Sequence, residues 1–574
     1  MRVARCIAIV GFLLLLAPTA ASAHAILEST SPERGADVRQ QPQQVAFYFN
    51  EPVETEFGAV RVFDSSGDEV QTGAVLRPGD DGKGVATALR PDLPDGTYTA
   101  TYRVVSADSH PVSGGFVFSI GKPDQGGAPI SKLLDDQSGP GTDSAAFVID
   151  RWLGYAAVAI FIGGIIFLLA VWRRALAASD TGEEAAAAAS AFERRLRIIA
   201  RIAALAGAAS ALLALPIQAS TAAGVSLGEG FDGDLISQVL DTRYGTLAAI
   251  RAVAWLAIAA FVWFAPLSAW GRPRLLAAAV AIPTLALLLA PGLAGHAYTQ
   301  SPSWLLLPSD FVHLAGMSVW AGGLVAFVFV VPAGSRALPA QRRSNLVSAC
   351  LDRFSPLALG SVIALAATGT IQAIVEVGSF PALVDTGFGR AVLAKIVLLL
   401  VLIGLGWANR NRLMPAIRRL AEAAEPLGRL GRTLRANLRI EVALIGLVLV
   451  ASALLVGYAP SSESAKGPVS GSVTLGSSYL EYTVEPATVG FNQIHLYLFD
   501  ADDGSQLDPK EVTATASLPD RDVGPLEIDL RKAGPGHYTT SAAQFGIAGD
   551  WELSVAVRTS RFDQNEADLT VPIR

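Results

Sequence analysis

Three residues near the amino terminus have the types and spacing of ligands for one metal ion. An A-x-A cleavage signal at residues 21–23 would make His24 the first residue of the mature chain, where it offers both its amine and its imidazole. Asp108 and His110 follow a strand-like segment two residues apart, so both side chains lie on one face of an extended chain. Nitrogen-rich ligation with one carboxylate suits tetragonal Cu(II). From the spacing alone, a surface aspartate and histidine in a turn explain the pattern as well.

A second group of candidate ligands lies in apolar sequence near the middle of the chain. His313, Met317 and Trp320 are spaced i, i+4 and i+7, which places them on one face of a helix, and Asp310 precedes them by one turn. With His296 from the preceding helix, an imidazole and a thioether on this face could hold or pass Cu(I). Ionisable residues within a span indicate function by default. A hydrogen bond from His313 to a neighbouring helix, with Met317 as packing, is the equally open alternative.

The hydropathy pattern defines the elements that must position these residues. Of 574 residues, 51% are hydrophobic and only 17% charged, which excludes an ordinary soluble globule and a disordered chain. Residues 1–23 have the positive start and apolar stretch of a secretory signal peptide. Residues 24–121 alternate short β-branched and aromatic runs with turns, as in a small all-β sandwich or barrel. The Gly/Pro/Asp-rich residues 122–146 predict a linker.

Eight apolar stretches within residues 147–458 are long enough to cross a bilayer, which requires about 20 helical residues. They are residues 147–171, 199–221, 245–267, 274–293, 309–331, 355–375, 389–408 and 440–458. If the N-terminal domain is outside, the inner loops carry 20 Lys and Arg residues and the outer loops carry one, Arg243. This asymmetry predicts a multi-pass protein of the cell membrane with both termini outside. Residues 461–574 are β-rich again and predict a second outer domain, all-β and immunoglobulin-like.

The sequence gives no sign of an enzyme or a nucleic-acid-binding protein. It contains no P-loop, no GxGxxG after a strand, no HExxH and no GxSxG. Cys6 lies in the signal peptide and Cys350 in an expected inner loop, so no disulfide is predicted. The basic residues of 409–439 indicate membrane orientation rather than a nucleic-acid surface. His495, in a strand, and His537, in a turn, have no further ligand at metal spacing and are interpreted as structural or solvated.

The sequence around the first group of ligands resembles the copper-binding CopC family. The similar segments are AHAILESTSPERGADV, VAFYFNEPVE and TYRVVSADSHPVSGGFVFSIG. The resemblance implies that His24, Asp108 and His110 hold Cu(II) and that Glu51 supplies a carboxylate near the metal. The Met-rich Cu(I) motif of the family is absent from this domain, so no Cu(I) site is expected there.

Residues 147–458 resemble the CopD family of copper transport or resistance membrane proteins. The eight-span layout and the Trp-Ala-Gly-Gly segment that follows His313 carry this resemblance. It favours a copper role for His296 and His313, and Met317 is a weaker candidate. Residues 485–492 and 549–553 are similar to small YtkA-like domains, which occur beside copper-handling membrane proteins. The whole chain therefore resembles a copper-import CopC–CopD fusion with an added C-terminal β domain.

These resemblances predict that the N-terminal domain captures Cu(II) and that the bundle conducts copper inward through His296 and His313. The tether would keep the captured copper at high effective concentration. Without an ATP-binding motif, gradients or binding inside the cell would drive transport. The expected partners are copper ions, the lipid bilayer and an extracytoplasmic copper chaperone or cuproenzyme. Two alternatives remain: a haem-binding, electron-transfer bundle that reduces copper and ligates haem with both histidines, and copper sequestration or delivery without transport.

Overall fold

The structure is a computed structural model. It describes residues 25, 27–55, 60–79, 81–107, 111–121, 133, 143–179, 182–265, 270, 272–456, 469–476, 478–485, 487–501, 507–534, 536–560 and 563–573. The predicted signal peptide, most of the predicted linker, and the predicted ligands His24, Asp108 and His110 lie outside these residues. The described residues form two compact units, of which one contains the long helices and the other contains both β domains.

The N-terminal domain is a sandwich of two four-stranded sheets, as the alternating pattern predicts. Aromatic side chains from both sheets fill its core, where the Phe47 ring lies 5.1 Å from that of Tyr102 and 5.3 Å from that of Phe116. The strands are β1 (Leu27–Ser31), β2 (Asp37–Val38), β3 (Gln44–Phe49), β4 (Val60–Phe63), β5 (Gln71–Leu76), β6 (Gly84–Leu89), β7 (Gly96–Val105) and β8 (Pro111–Ile120). One sheet has the order β1-β3-β6-β5 and the other β2-β8-β7-β4.

All eight predicted spans are helices that are long and apolar enough to cross a bilayer. Large apolar side chains such as Phe264 and Ile282, which are 84% and 80% exposed, cover the outside of the bundle and fit a lipid environment. The helices are α1 (Ala145–Ala178), α2 (Glu183–Ala223), α3 (Arg243–Phe264), α4 (Arg274–Ala294), α5 (Ser303–Ser335), α6 (Ala340–Val377), α7 (Gly387–Glu422) and α8 (Gly428–Leu455).

Several helices extend well beyond the predicted spans, so the predicted inner loops are largely wrong. The segments 183–198, 340–354 and 428–439 continue α2, α6 and α8 as helix. Hydropathy detects only the lipid-facing part of a helix, and charged residues with good helix propensity extend it into water. Cys350, expected in a loop, is buried within α6. Helix α1 begins at Ala145, inside the predicted linker of residues 122–146.

The C-terminal domain consists of two antiparallel sheets, as predicted for residues 461–574. Its core is formed by apolar residues from both sheets, with Trp551 and Phe545 packed edge to face at 5.0 Å. The strands are β9 (Val469–Leu475), β10 (Ser478–Glu485), β11 (Gly490–Asp500), β12 (Glu511–Leu518), β13 (Val523–Ile528), β14 (Arg531–Gly534), β15 (His537–Phe545), β16 (Gly549–Arg558) and β17 (Gln564–Ile573). The sheet orders are β14-β15-β11-β10-β9 and β13-β12-β16-β17.

The helical unit contains an internal repeat that the sequence analysis did not predict. The chain enters α3 through the segment DTRYG and α7 through the segment DTGFG. In both, the threonine side chain caps the helix: Thr242 Oγ1 accepts the Gly245 N–H at 3.0 Å, and Thr386 Oγ1 accepts the Gly389 N–H at 2.9 Å. This correspondence relates α3 to α7 and therefore the set α1–α4 to the set α5–α8.

Helices α1 and α5 meet at equivalent glycines of the two repeats. A Cβ built on Gly163 would lie 2.6 Å from Gly322 Cα, and a Cβ built on Gly322 would lie 2.8 Å from Gly163 Cα. Asp150 precedes Gly163 by 13 residues, and Asp310 precedes Gly322 by 12. Because each glycine faces its counterpart, the contact has the reciprocity of a pseudo-twofold axis between parallel repeats.

Candidate metal centres

The described residues next to the predicted Cu(II) ligands meet at one end of the N-terminal sandwich. Leu27 in β1 is paired antiparallel with Phe49 in β3, so the chain before Leu27 runs beside the chain after Phe49. Ala25 is buried, with 4% of its surface exposed, which anchors the chain one residue after His24. Glu51, two residues after Phe49, accepts the backbone N–H of Ala107 at 3.2 Å. The segments next to His24 and Asp108 therefore converge.

Strand pairing brings together the described residues on both sides of positions 108–110. Val105 lies opposite Pro111 in the β7–β8 ladder. Glu54 exchanges two backbone hydrogen bonds with Val105, at 2.8 and 3.1 Å. The Glu51 carboxylate, which the resemblance places near the metal, positions Ala107, the residue before Asp108, through its Oε1. The ligand roles of His24, Asp108 and His110 stay predictions.

The predicted ligands of the bundle line one cavity of about 760 Å³. Residues from α1, α4, α5, α6, α7 and α8 form its wall, together with residues of short connecting segments. As the helical spacing predicts, His313, Met317 and Trp320 all face this cavity from α5. His296 also lines it, but it does not end the fourth span: α4 ends at Ala294, and His296 begins a separate short helix, His296–Thr299.

A hydrogen bond between His313 and Thr368 of α6 sets the orientation of the His313 ring. Its Nδ1 lies 2.9 Å from Thr368 Oγ1, and that hydroxyl donates its own proton to the Ala364 carbonyl oxygen at 2.7 Å. Thr368 must therefore accept from His313, which assigns the ring proton to Nδ1 and leaves the Nε2 lone pair for a ligand. Gly369 makes room for the ring, since a Cβ there would lie 3.5 Å from His313 Cε1.

Three charged residues whose role the sequence left open also line this cavity: Asp310, Glu376 and Lys395. Asp310 accepts a hydrogen bond from Gln372 Nε2 at 3.4 Å. It also approaches the backbone of α4 closely, because a Cβ built on Gly292 would lie 2.7 Å from Asp310 Oδ2. Asp310 and Lys395 lie within predicted spans and Glu376 directly follows one, and this position in the sequence does not show which helices meet.

Among the residues that the structure describes, no three His, Cys, Asp or Glu side chains converge closely enough to hold one metal ion. His296, His313 and Met317 thus line the same cavity, and among the described residues neither histidine belongs to a group of three such side chains that could hold one metal ion. Separate, weak contacts of this kind suit a cation that must both bind and leave.

His495 and His537 form a buried pair, which agrees with the structural and not with the solvated alternative of their interpretation. His495 Nδ1 lies 3.1 Å from His537 Nε2, and the two residues are 3% and 6% exposed. His537 begins β15 rather than lying in a turn, and its ring stacks on Tyr497 at 4.3 Å between centroids. Burial lowers the pKa of His495 to about 4, with a further contribution from the charge of Arg34, and lowers the pKa of His537 to about 3.

The N-terminal domain covers this face of the C-terminal sheet. Val117 of β8 packs with Tyr497 and Phe499 of β11 in one apolar cluster. Arg34 forms a 2.8 Å ion pair with Glu485 at the edge of the same face. A protonated histidine pair would place two N–H groups against each other beside the Arg34 guanidinium. The histidine pair in this geometry therefore requires the neutral form of at least one of its members.

Comparisons with known proteins agree with these domains. Three family models match the chain: "CopC domain" at residues 27–121, "Copper resistance protein D-like, N-terminal domain" at 142–301 and "Copper resistance protein D" at 348–455. The chain is 28% identical over 563 residues to "Copper transport protein CutJ" of Bacillus subtilis (strain 168), which covers 96% of each chain. It is 34% identical over 98 residues to "Protein YobA" of Escherichia coli (strain K12), which covers 17% of this chain and 79% of that one.

Among solved structures, the crystal structure of CopC from Methylosinus trichosporium OB3b is similar, with 28% identity and a TM-score of 0.16. That match covers 17% of this chain and 95% of that chain. The matched domains and the eight helices define a multi-pass membrane protein with an attached CopC domain. The chain therefore joins a CopC domain and Copper resistance protein D domains in one polypeptide, as a CopC–CopD fusion. The resemblance of its C-terminal domain to YtkA-like domains stays a prediction.

Proposed function

We propose that this chain binds copper outside the cell with its CopC domain and moves copper inward through the cavity of its helical bundle. The observation that carries this proposal is the cavity itself, which in one chain with a CopC domain gathers His296, His313 and Met317. The name of the relative that matches 96% of the chain, "Copper transport protein CutJ", supports the same function. The chain acts as a carrier and not as an enzyme.

The first step is the capture of Cu(II) by His24, Asp108 and His110. Two observations support a single site: the buried Ala25 fixes the chain next to His24, and Glu51 ties the residue before Asp108 to the end of β3. An N-terminal amine, two imidazoles and a carboxylate give the nitrogen-rich, tetragonal set that Cu(II) prefers. An extracytoplasmic copper chaperone would deliver the ion, or a cuproenzyme would receive it.

The second step is passage through the bundle. Thr368 holds the His313 ring so that Nε2 is the nitrogen with an available lone pair, and Met317 lies one helical turn further along the same face. Imidazole and thioether together are ligands for Cu(I). The predicted inner segments carry 20 basic residues and the outer loops carry one. This asymmetry supports a cytoplasmic position for the inner segments and an extracytoplasmic position for both β domains.

Copper uptake into proteoliposomes that contain an internal chelator tests this function. We expect wild-type protein to accumulate copper and His313→Ala to lose most of the uptake. Val312→Ala, on the outer surface of the same helix turn, is the matched control and should transport normally, since Val312 is 42% exposed and does not line the cavity. Uptake by His313→Ala equal to that of Val312→Ala would exclude the proposed path.

A further inference from the structure

The two repeats of the helical unit carry equivalent polar residues at three positions. Each repeat has an aspartate in its first helix, a glutamine within an Ile-Gln-Ala segment of its second helix, and a cation nine residues after the capping threonine of its third helix. The equivalent pairs are Asp150 and Asp310, Gln218 and Gln372, and Arg251 and Lys395. Comparison of equivalent positions in the two repeats therefore shows which polar residues occur only in the second repeat.

In the first copy, positive charge opposes the carboxylate. Asp150 is only 5% exposed, and the positive charges of Arg251 and Arg151 both act on it. Gly154, one turn after Asp150, leaves room for Arg251, because a Cβ there would lie 3.4 Å from Arg251 Nη2. Because a guanidinium cannot release its proton in a protein, this copy has no excess of negative charge.

The second copy opens into the cavity and has two groups that the first copy lacks. His313 stands three residues after Asp310, where the first copy has Leu153. Glu376 stands four residues after Gln372, where the first copy has Ala222. The described wall of the cavity therefore carries two carboxylates, Asp310 and Glu376, against one basic side chain, Lys395. With these three side chains in their ordinary ionised forms, their summed formal charge is −1.

An uncompensated charge inside a membrane-embedded cavity is costly, and a bound ion of opposite sign removes that cost. One monovalent cation makes the cavity neutral, whereas a divalent cation leaves one excess positive charge beside Lys395. The ligands of the α5 face, His313 and Met317, are imidazole and thioether, which suit a soft monovalent ion. The charge count and the ligand types therefore both favour Cu(I) over Cu(II).

We propose that the polar groups of the α5–α8 repeat give the cavity its conducting site and that Asp310 and Glu376, acting against Lys395, select Cu(I) over Cu(II). This inference rests on the proposed transport function and adds the cargo's oxidation state to it. Cu(II) held by the CopC domain then has to gain one electron outside the membrane. The two cysteines of the chain are Cys6 and Cys350, so neither β domain supplies a thiol. An external small-molecule thiol is the reductant, with two Cu(II) and two thiols giving two Cu(I), one disulfide and two protons.

Uptake of Ag(I), a soft monovalent ion that needs no reductant, tests the selection directly in proteoliposomes. Wild-type protein should accumulate Ag(I), and Cu(I) in the presence of a thiol, but not Cu(II) without reductant. Glu376→Gln makes the cavity neutral and should lower the initial rate of Ag(I) uptake at least tenfold, whereas Glu376→Asp keeps the charge and should retain most of it. Glu229→Gln removes an exposed carboxylate outside the cavity and is the charge-matched control.

The outcomes separate the inference from the function on which it rests. If wild-type protein transports Cu(II) without reductant as fast as Cu(I), or if Glu376→Gln takes up Ag(I) as fast as Glu229→Gln, the charge selection is overturned while copper transport stands. If wild-type protein accumulates copper in neither state, the proposed function itself fails. Direct Ag(I) binding to the detergent-solubilised variants, measured by calorimetry, should show the same order and needs no transport.

Discussion

Replacing Gly322 by alanine tests the contact around which the two repeats are arranged. Gly322 closes a π-helical turn of α5, Ser318–Gly322, and lies against α1. An added Cβ would overlap the Ala159 carbonyl oxygen and lie 2.8 Å from Gly163 Cα. All of these atoms belong to the backbone of packed helices, so no side-chain rotation relieves the overlap. The helices would have to separate.

The size of the effect follows from these distances. Carbon atoms in contact normally lie about 3.5–4.0 Å apart, so α1 and α5 must separate by about 1 Å at this point. Overpacking of this kind costs about 1–3 kcal/mol, and the separation also weakens the neighbouring contacts. The higher helix propensity of alanine returns about 0.5–1 kcal/mol. We therefore expect a net loss of about 2 kcal/mol of unfolding free energy.

Equilibrium unfolding in mixed micelles titrated with SDS, followed by tryptophan fluorescence, measures this loss. Gly404→Ala is the matched control, because a Cβ on Gly404 in α7 meets no atom within 4 Å. That variant should be as stable as wild type or slightly more stable. Gly163→Ala approaches the same contact from α1 and should be destabilised like Gly322→Ala. If Gly322→Ala and Gly404→Ala unfold at the same SDS fraction, α1 and α5 do not meet at these glycines and the proposed pseudo-twofold axis is wrong.

Three further predictions concern the groups that position the metal ligands and the contact between the β domains. Thr368→Val removes the acceptor for the Nδ1 proton of His313 and should raise the copper concentration for half-maximal uptake about 10- to 100-fold. Thr368→Ser keeps the hydroxyl and should stay close to wild type. Glu51→Ala should weaken Cu(II) affinity in a chelator competition by about tenfold or more, while Glu51→Gln, which keeps the acceptor oxygen, should stay near wild type. Because burial lowers the pKa of His495 to about 4 and that of His537 to about 3, the domain contact should be strongest above about pH 6.5. Below that value, the equilibrium constant for association of the two β domains should fall by about tenfold per pH unit for each histidine that takes up a proton when the domains separate. Radical oxidation of the covered aromatic residues measures this separation and should increase as the pH falls. Oxidation that does not depend on pH would contradict the prediction.

The β domains and the spans could be predicted because their signals are local. The β-rich pattern of residues 24–121 and 461–574 corresponds to strands such as Val60–Phe63 and Glu511–Leu518, since alternation with period two is visible within a few residues. The spans were found from apolar length alone. The helix beginnings were missed, as at residues 340–354, because a polar amphipathic segment continues a helix without adding to its hydropathy.

The candidate site was predictable only within single helices. The spacing of His313 and Met317 places both on one face of α5, and the structure puts both at the cavity. The group that orients His313 is Thr368, 55 residues away, and the partner of His495 is His537, 42 residues away. Helix packing and strand register bring these side chains together, and neither follows from the periodicity of one element.

The internal repeat was present in the sequence but difficult to recognise. The segments DTRYG and DTGFG share three of five residues, and the rest of the two repeats has diverged. The structure makes the correspondence evident because Thr242 and Thr386 cap their helices in the same way and because Gly163 faces Gly322. A duplication becomes visible through such geometric roles after most of the identity has been lost.

Anomalous X-ray diffraction at the copper edge, from two sets of crystals of the full chain, one grown with Cu(II) alone and one with copper and a thiol, is the most direct test of the central claim. We expect an anomalous peak at the end of the N-terminal sandwich beside Glu51 in the crystals with Cu(II), and a peak within the cavity next to His313 Nε2 in the crystals with thiol. Copper at the first position with none in the cavity would contradict transport through the bundle. Copper bound only by His495 and His537 would contradict both predicted sites.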